Sequence, residues 1–466
     1  MRQAQFLDSL RTKWRNLHSR SKLGSFAGAN GVAEELEVGY RLLQMLLTSN
    51  SWVHRRVDSL RLDLAGDTRL FVSLNFTLPE RFVIGGSAGM VIVPLAMMEK
   101  GTLRRLDTNL IGGHHSSILT SSENSRLSLA LIVAAADKFL DHDVDVAVLR
   151  IKARELVTCT FQDAAQAKES FLGWLDSTIG SAAVDDEQRG LHDLFRLLCI
   201  QFAGNFLFCA EVDSCIVNRR SVFKFSLDQD SPDGDRRWTG LTKIRQLMPD
   251  VGFAASQHVE VQVPQGLTIS RLEFFESEPN FPEATTGIDV PQFPRSVAHL
   301  SIRPRHRYSS GHWILEVKPA WQGLYKFTMF SVFIVAILVA LGFAVRVWDT
   351  SLIREAQSII PSQSAPILLV GPALFLSWIS RQPEHMLAAR LLAPLRIMLV
   401  SCSLCLVLMA VLAAIPVTWI VWVTTWWAIA SIAACTFVAF LMFKFDKPLP
   451  RFVRSIFYTQ YTKGKS

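Results

Sequence analysis

The stretch Ile397–Phe443 contains 47 residues without a single Asp, Glu, Lys, Arg or His. A helix that crosses a bilayer needs about 20 predominantly apolar residues, so this stretch is long enough for two such helices, with Pro416 as the break between them. Two further uncharged stretches precede it, Phe327–Val345 and Ala356–Ser380. The sequence therefore predicts four transmembrane helices in the last third of the chain, at 327–345, 358–380, 397–415 and 419–443.

The net charge of +7 belongs to the membrane part of the chain. Residues 327–466 carry 11 Lys and Arg against 4 Asp and Glu, and the totals of 48 and 41 therefore leave 37 of each sign in residues 1–326. A face that binds nucleic acid normally gives its domain a net positive charge. We therefore expect no nucleic acid partner for the neutral soluble part, and the lipid bilayer is the partner that the composition indicates.

Cationic residues are distributed unequally between the two sides of the predicted four-helix unit. Arg381, Arg390, Arg396 and the six cations of the tail share one side, whereas Arg346 and Arg354 lie on the other. Because Lys and Arg concentrate in cytoplasmic loops, this ratio of nine to two predicts that both termini and the soluble part face the cytoplasm. The basic residues 1–20 lack the apolar core of a signal peptide and agree with this orientation. The predicted location is therefore a cell membrane, crossed several times.

The soluble part begins with a helical pattern and changes to strands. Apolar residues recur at helical spacing over Glu34–Leu47, which predicts a helix. Residues 56–64 and 70–78 then alternate between apolar and polar side chains around the turn Ala65-Gly66-Asp67. Two alternating runs separated by a turn predict a β-hairpin with one buried face.

A helical middle segment follows this hairpin. Thr120 and Glu123 have the spacing of a capping box ahead of an apolar run, so we expect a helix to begin there. Two further helices are predicted at 164–179 and 187–209 from their apolar periodicity.

The remaining soluble residues return to strand patterns. Residues 211–217 and 221–227 flank Asn218 and predict a second hairpin, and period-two alternation recurs at 258–263, 267–274, 297–302 and 313–317. The predicted fold is an α+β soluble region with an antiparallel β-sandwich, followed by an all-α membrane domain of four transmembrane helices. Its parts are a basic arm with the first helix (1–50), an α+β cytoplasmic region (51–210), a β-sandwich-like region (211–320), the four spans, and a basic cytoplasmic tail (444–466).

Three groups of residues together carry a resemblance to a known family. They are the run Val93-Pro94-Leu95, Lys100, Leu103, Leu106-Asp107, Gly113, Ile118-Leu119-Thr120, Glu123-Asn124 and Leu127; the segment Val259–Leu267; and the entry into the third span with Pro383-Glu384-His385, Leu391-Leu392 and Arg396. Together they resemble multi-pass membrane proteins with a cytoplasmic α+β domain that are common in actinobacteria and have no assigned activity. The resemblance implies a bacterial inner-membrane protein and transfers no catalytic residue.

The loop Gly85-Gly86-Ser87-Ala88-Gly89 is the predicted ligand-binding element. Successive backbone amides in such a loop can form a nest for an anion, although the loop lacks the lysine of a P-loop and the spacing of a dinucleotide site. Gly85, Gly86, Ser87 and Gly89 are therefore the predicted ligand-binding residues, and a plain hairpin connection is the alternative.

No metal, cofactor or catalytic centre is predicted. His114-His115 has no further ligands at metal-binding spacing, and the acidic run Asp137–Asp145 lacks the glycine and glutamate of an EF-hand loop. The common hydrolase, metalloprotease and kinase motifs are also absent from the sequence, which lowers the expectation of an enzyme. The seven cysteines are expected to be free thiols, and Cys402 and Cys405 are expected to pack as small apolar residues.

The predicted spans contain no ionisable side chain, which argues against an ion-coupled transporter. The hydroxyl residues that remain as candidates for lining a pore are Ser401, Ser403, Thr424 and Thr425, with helix packing as the alternative role. Glu384 and His385 precede the third span on the cytoplasmic side, where they are the candidates for gating.

Three functions remain open from the sequence. The favoured one is a cytoplasmic sensing or scaffolding domain anchored by four spans, with a second copy of the chain, a cytoplasmic protein or a small molecule as its partner. The alternative is a ligand-gated effector or channel that permeabilises the inner membrane, as in bacterial antiphage defence, and the third is a membrane-bound enzyme. A scaffold leaves the membrane potential unchanged, an effector collapses it when triggered, and an enzyme shows turnover in the isolated soluble fragment.

Overall fold

The structure, a computed structural model, shows a soluble α/β region followed by three long apolar helices. It describes residues 30–62, 68–87, 89–101, 103–111, 116–140, 144–179, 186–229, 234–235, 241–278, 281–290, 295–302, 309–348, 370, 372, 386–414 and 419–445. The helices are α1 (Asn30–Leu47), α2 (Ser121–Phe139), α3 (Val146–Thr158), α4 (Ala164–Ile179), α5 (Asp186–Gly204), α6 (Lys326–Trp348), α7 (Met386–Ala414) and α8 (Trp419–Phe445).

Three sheets make up the β structure of the described residues. The strands are β1 (Val53–Leu62), β2 (Thr68–Thr77), β3 (Met90–Glu99), β4 (Arg104–Leu110), β5 (Ser116–Ile118), β6 (Asn205–Asp213), β7 (Arg220–Gln229), β8 (Gly234–Asp235), β9 (Thr242–Val251), β10 (Ser256–Gln262), β11 (Leu267–Glu278), β12 (Phe281–Asp289), β13 (Val297–Ile302) and β14 (Ser309–Pro319). A six-stranded sheet has the order β13-β10-β1-β2-β7-β4, a five-stranded sheet has the order β12-β11-β14-β9-β8, and a three-stranded sheet has the order β3-β6-β5.

The six-stranded sheet combines early and late parts of the chain. β1 and β2 form the antiparallel hairpin predicted by their alternation, with Leu60 opposite Leu70. β1 also pairs in parallel with β10, where Ser59 lies opposite Glu260, and β2 pairs with β7. The sheet therefore takes strands from both sides of the predicted boundary at residue 210.

The second predicted hairpin, 211–217 with 221–227, is wrong. β6 pairs with β3 and β5, whereas β7 pairs with β2 and β4, so the two segments belong to different sheets. Between them the chain makes a single helical turn at Ser214–Ile216, and Asn218 then adopts a φ of 60°. A left-handed residue is tolerated by asparagine, and here it redirects the chain from one sheet to the next.

The five-stranded sheet is antiparallel throughout and faces part of the six-stranded sheet. Leu60 and Val261 from the six-stranded sheet share a hydrophobic core with Leu272 and Leu315 from the five-stranded sheet. Parts of these two sheets therefore pack on each other, and we call this pair of sheets the sandwich. It differs from the antiparallel sandwich predicted within 211–320, because the six-stranded sheet is mixed and includes β1 and β2.

Helices α1 to α5 and the three-stranded sheet enclose a second core, whose buried residues lie between Leu42 and Ala254. α2 begins with the predicted capping box at Thr120, and α4 has the predicted bounds. α1 and α2 approach closely because Gly39 has no side chain, and a β-carbon there would overlap the Ala130 carbonyl. The helix predicted at 187–209 ends at Gly204, because the residues after it pair with β3 as strand β6.

Three described helices are long and apolar enough to cross a membrane, with candidate spans at Trp321–Gly342, Ala388–Leu412 and Ile420–Phe443. We call α6, α7 and α8 the apolar helices. Each has a face of large apolar side chains that the protein leaves exposed, among them Ile337, Leu404 and Ile420. Such outward apolar faces are typical of helices surrounded by lipid.

The contacts between the apolar helices fix their directions. Tyr325, just before α6, lies against Phe440 and Phe443 near the end of α8, with ring centroids 5.8 and 6.2 Å apart. At the other end of α6, a β-carbon on Gly342 would overlap the Trp426 ring of α8, so these two helices are antiparallel. α7 begins near the soluble region, since Leu392 lies close to Gly266 in the turn between β10 and β11, so α6 and α7 both lead away from that region.

α7 begins earlier than predicted. The span was placed at 397–415 because Arg390 and Arg396 interrupt the apolar run, but the helix starts at Met386 and includes both arginines. Its 29 residues measure about 43 Å, about nine residues more than a 30 Å hydrocarbon core requires. The candidate span Ala388–Leu412 therefore contains Arg390 and Arg396, whereas the predicted span 397–415 contains no ionisable residue. The predicted span 358–380 lies outside the described residues except for Val370 and Pro372, as do residues 1–29 and most of the tail 444–466.

Candidate functional site

A large open cleft lies in the helical half of the soluble region. Its volume is about 1230 Å³, and its walls come from the end of β3, the start of α2, the second half of α3 and strand β6. Asn124 fixes the start of α2 over β6, because its side chain donates to the Leu119 carbonyl at 3.0 Å and accepts from the Cys209 amide at 3.1 Å. The cleft therefore stands on a buried, hydrogen-bonded framework.

The charged side chains of the cleft are mostly cationic. Lys100, Arg126, Arg150 and Arg154 line it, and Glu35 is the acidic residue among its described walls. Arg150 donates to Glu35 at 2.5 Å, so this pair is neutral. Arg150 and Arg154 are four residues apart on α3, which brings both to one face of the helix. The cleft consequently carries an excess of positive charge.

Lys100 is held at the bottom of this group by buried contacts. Its Nζ donates to the Leu156 carbonyl at 2.7 Å and lies 3.2 Å from Sγ of Cys159, and only 8% of the residue is exposed. Burial lowers the pKa of Lys100, although the neighbouring Cys159 opposes the shift. A lysine so placed joins β3 to the end of α3 and makes the cationic site depend on the packing of both.

Apolar side chains form the rest of the cleft wall. Ile118 and Phe161 are 36% and 56% exposed, and Phe206 is partly buried beside them. These apolar side chains line the same cleft as the cationic ones. The cleft is therefore amphipathic, with a cationic part and an apolar part.

The first turn of α2 contributes hydroxyls to the cleft but is capped from within the chain. The Thr120 amide donates to Glu123 at 2.7 Å, and the Thr120 hydroxyl accepts from the Glu123 amide at 3.4 Å. Hydrogen bonds from Thr120 lower the pKa of Glu123, which keeps this carboxylate charged. Binding at the cleft thus depends on its side chains rather than on a free helix terminus.

The predicted ligand-binding loop Gly85–Gly89 surrounds a carboxylate of the protein itself. Ser87 donates its amide to Oε1 of Glu211 at 2.9 Å and its hydroxyl to Oε2 at 2.8 Å. A β-carbon on Gly86 would lie 2.6 Å from Oε1 of Glu211, so the end of the Glu211 side chain would have to shift. Gly89 has a φ of +78°, which favours glycine at that position. An anionic ligand at this loop would have to compete with Glu211.

Two residues of the acidic run Asp137–Asp145 make contacts within the protein. Asp145 caps α3 by accepting from the Ala147 amide at 2.8 Å, and Asp137 accepts a hydrogen bond from the Tyr40 hydroxyl. Burial and this contact raise the pKa of Tyr40. Residues 112–115 and 141–143, which include the paired histidines, lie outside the described residues. Within the described ranges, no group of three or more His, Cys, Asp or Glu is arranged to hold a metal ion.

The pore-lining candidates use their hydroxyls inside their own helices. Each donates to the carbonyl four residues earlier at 2.8 to 3.0 Å; the four are Ser401, Ser403, Thr424 and Thr425. Ser403 is 6% exposed, whereas Thr424 lies on the exposed side of α8. A role of these four residues in lining a pore stays a prediction. The gating candidates Glu384 and His385 lie outside the described residues.

Sequence reasoning missed the cleft, although some of its parts carried a signal. Arg150 and Arg154 have the spacing of one helical face, but helix α3 itself was not predicted. The walls come from residues 100, 118–126, 150–161 and 206–208, which only the fold brings together. No protein-family model matches this chain and no curated protein is significantly similar to it, so the functional conclusion depends on the chain's own residues and contacts.

Proposed function

We propose that the chain is an integral membrane protein whose soluble region acts as a sensing or scaffolding domain and is directly coupled to its membrane helices. The observation that carries this proposal is one hydrophobic core shared by both parts. Leu272 and Leu315 of the sandwich belong to the same buried cluster as Val332 of α6, Leu395 of α7 and Phe440 of α8. Because packed cores transmit strain, a change in the sandwich alters the packing of the helices.

The connection between the two parts supports a stiff coupling. β14 ends at Pro319, and a short turn with Gly323 at a φ of +88° leads directly into α6. Tyr325 in this turn lies between Trp321, 5.3 Å away, and the rings at the end of α8. α7 also lies close to the turn between β10 and β11, because Cδ1 of Leu392 is 3.6 Å from the position that a β-carbon on Gly266 would occupy.

The directions of the apolar helices support four spans. α6 leads away from the soluble region and α7 begins near it, an arrangement that favours one more crossing of the membrane between them. We therefore propose the fourth span at 358–380. Both termini of the membrane part then share the side of the soluble region, and the excess of cations on that side supports a cytoplasmic location. The extra turns of α7, with Arg390, extend towards the soluble region on this view.

We further propose that the protein resides in the inner membrane of a bacterium and forms homo-oligomers through exposed apolar faces of its helices. Protease treatment of inverted membrane vesicles and of intact spheroplasts tests the orientation. Cleavage of the soluble region in inverted vesicles alone is expected. Cleavage in spheroplasts alone would contradict the proposed cytoplasmic side.

The membrane potential of expressing cells separates the proposed function from an effector. The full chain and a chain cut after Ala320 are compared, with and without phage infection as a trigger. A sensing or scaffolding protein leaves the potential equal in both. Depolarisation with the full chain alone would contradict this proposal and favour a membrane effector, with Thr424 and Thr425 as the first residues to replace.

A further inference from the structure

We propose that the cleft of the soluble region binds an organic phosphate, that is, a phosphate ester or anhydride joined to an apolar or aromatic body. The phosphate lies against Arg126 and Arg154, and the body lies against Phe161 and Phe206. This goes beyond the proposed function, because it assigns a ligand chemistry to the soluble region whether or not the membrane helices respond.

Two arginine side chains of the cleft are available to bind an anion. Arg126 and Arg154 are exposed at the cleft, and neither makes an ion pair or a side-chain hydrogen bond within the described part of the chain. Glu123 interacts electrostatically with Arg126, but its carboxylate is hydrogen-bonded to Thr120 and not to the guanidinium. A guanidinium fork matches phosphate oxygens and forms charge-assisted, often bidentate hydrogen bonds with them.

The excess positive charge is concentrated in the cleft. Residues 1–326 are formally neutral, so the cationic cleft does not follow from a generally basic surface. Four cationic side chains against one acidic one line it. Like charges gathered in one cleft repel one another and are relieved by an anion. A metal cation is disfavoured for the same reason, because Glu35 is already paired with Arg150.

The cleft has room for more than a phosphate, and part of its wall is apolar. The cleft volume of about 1230 Å³ is far larger than a free phosphate needs and is somewhat above the range of about 300–1,000 Å³ that is usual for organic ligands. Phe161 is 56% exposed at its edge, which leaves an aromatic face available for stacking on a planar group. A phosphate with an attached apolar body therefore fits the cleft better than an inorganic anion.

Calorimetric titration of the full chain in lipid nanodiscs tests the proposal. The probes are ATP for a soluble organic phosphate, a short-chain phosphatidic acid for a lipid headgroup, and inorganic pyrophosphate for the anion alone. We expect one or both organic probes to bind more tightly than pyrophosphate, with an affinity that falls as salt is added. Preference for ATP identifies a soluble source of the ligand, and preference for phosphatidic acid identifies a lipid source.

Variants locate the binding. Arg126→Gln and Arg154→Gln are each expected to weaken binding of the organic probe at least about tenfold, the loss for one charge-assisted hydrogen bond. Phe161→Ala is expected to weaken the organic probe and leave pyrophosphate unchanged. Arg219→Gln is the matched control, because Arg219 is exposed and is not part of the cleft wall.

Two results would overturn the proposal. One is the absence of binding by both organic probes at millimolar concentration to a chain that is shown by circular dichroism to be folded. The other is binding that the Arg126 and Arg154 variants leave unchanged. The membrane potential experiment is independent of both results, so failure of the cleft and failure of the proposed function are distinguishable.

Discussion

Replacing Leu392 by alanine tests whether the soluble region depends on the membrane helices. Leu392 is 4% exposed, belongs to the same buried cluster as Leu267 at the start of β11, and lies close to Gly266 in the turn before it. Truncating a buried leucine to alanine costs about 2 to 5 kcal/mol, because apolar contacts are lost and a cavity remains. At about 1.4 kcal/mol for each factor of ten, the smaller value changes a local opening equilibrium roughly 30-fold.

Hydrogen exchange measured by mass spectrometry on the chain in nanodiscs reports this change. We expect amides of β10 and β11 to exchange at least about tenfold faster in Leu392→Ala, although the substituted residue is in α7. Leu404→Ala is the control, because Leu404 is in the same helix and 48% exposed. Equal exchange of β10 and β11 in Leu392→Ala and in the unmodified chain would refute the shared core as a physical coupling.

Three further predictions concern the helical half. Gly39→Leu should lower the melting temperature of the soluble region by several degrees, because its side chain would overlap the Ala130 carbonyl, whereas Gly173→Ala has open space and should not. Asn124→Ala should cost about 1 to 3 kcal/mol in denaturant unfolding, since it leaves a buried amide and a carbonyl unpaired. Burial lowers the pKa of Lys100, so the unfolded state keeps this proton to a higher pH than the folded state does. The free energy of unfolding should therefore rise as the pH approaches 10.5, the ordinary pKa of lysine. Lys100→Met should remove that rise, and identical pH profiles of the variant and the unmodified chain would contradict the prediction.

Local patterns determined the parts of the fold that were predicted correctly. The β1–β2 hairpin follows from alternation on both sides of a short turn, and the capping box at Thr120 is complete within four residues. Both signals depend on neighbours in sequence. They were therefore readable without knowledge of the tertiary structure.

Non-local pairing accounts for most of what was missed. The parallel pairing of β1 with β10 joins residues about 200 positions apart, and alternation alone does not select a partner strand. Glu211 reaches the loop at Ser87 for the same kind of reason, since β6 returns beside β3. In α7, charge was read as the end of the helix, although an arginine is tolerated where a helix leaves the bilayer.

The cleft could not be predicted either, because its residues come together only in the folded chain. Its cations were visible in the sequence, but Lys100, Arg126 and Arg154 are ordinary surface residues until β3, α2 and α3 are packed together. No spacing rule connects them.

The most direct test of the central claim is hydrogen exchange of the full chain in nanodiscs compared with a chain cut after Ala320. The core between Leu42 and Ala254 contains no residue of the apolar helices α6, α7 and α8 as far as the structure describes them. The sandwich core includes residues of all three. The account predicts that the cut chain keeps its protection in α2 and α5 and loses it in β10, β11 and β14. Equal protection of those strands in both chains would contradict it.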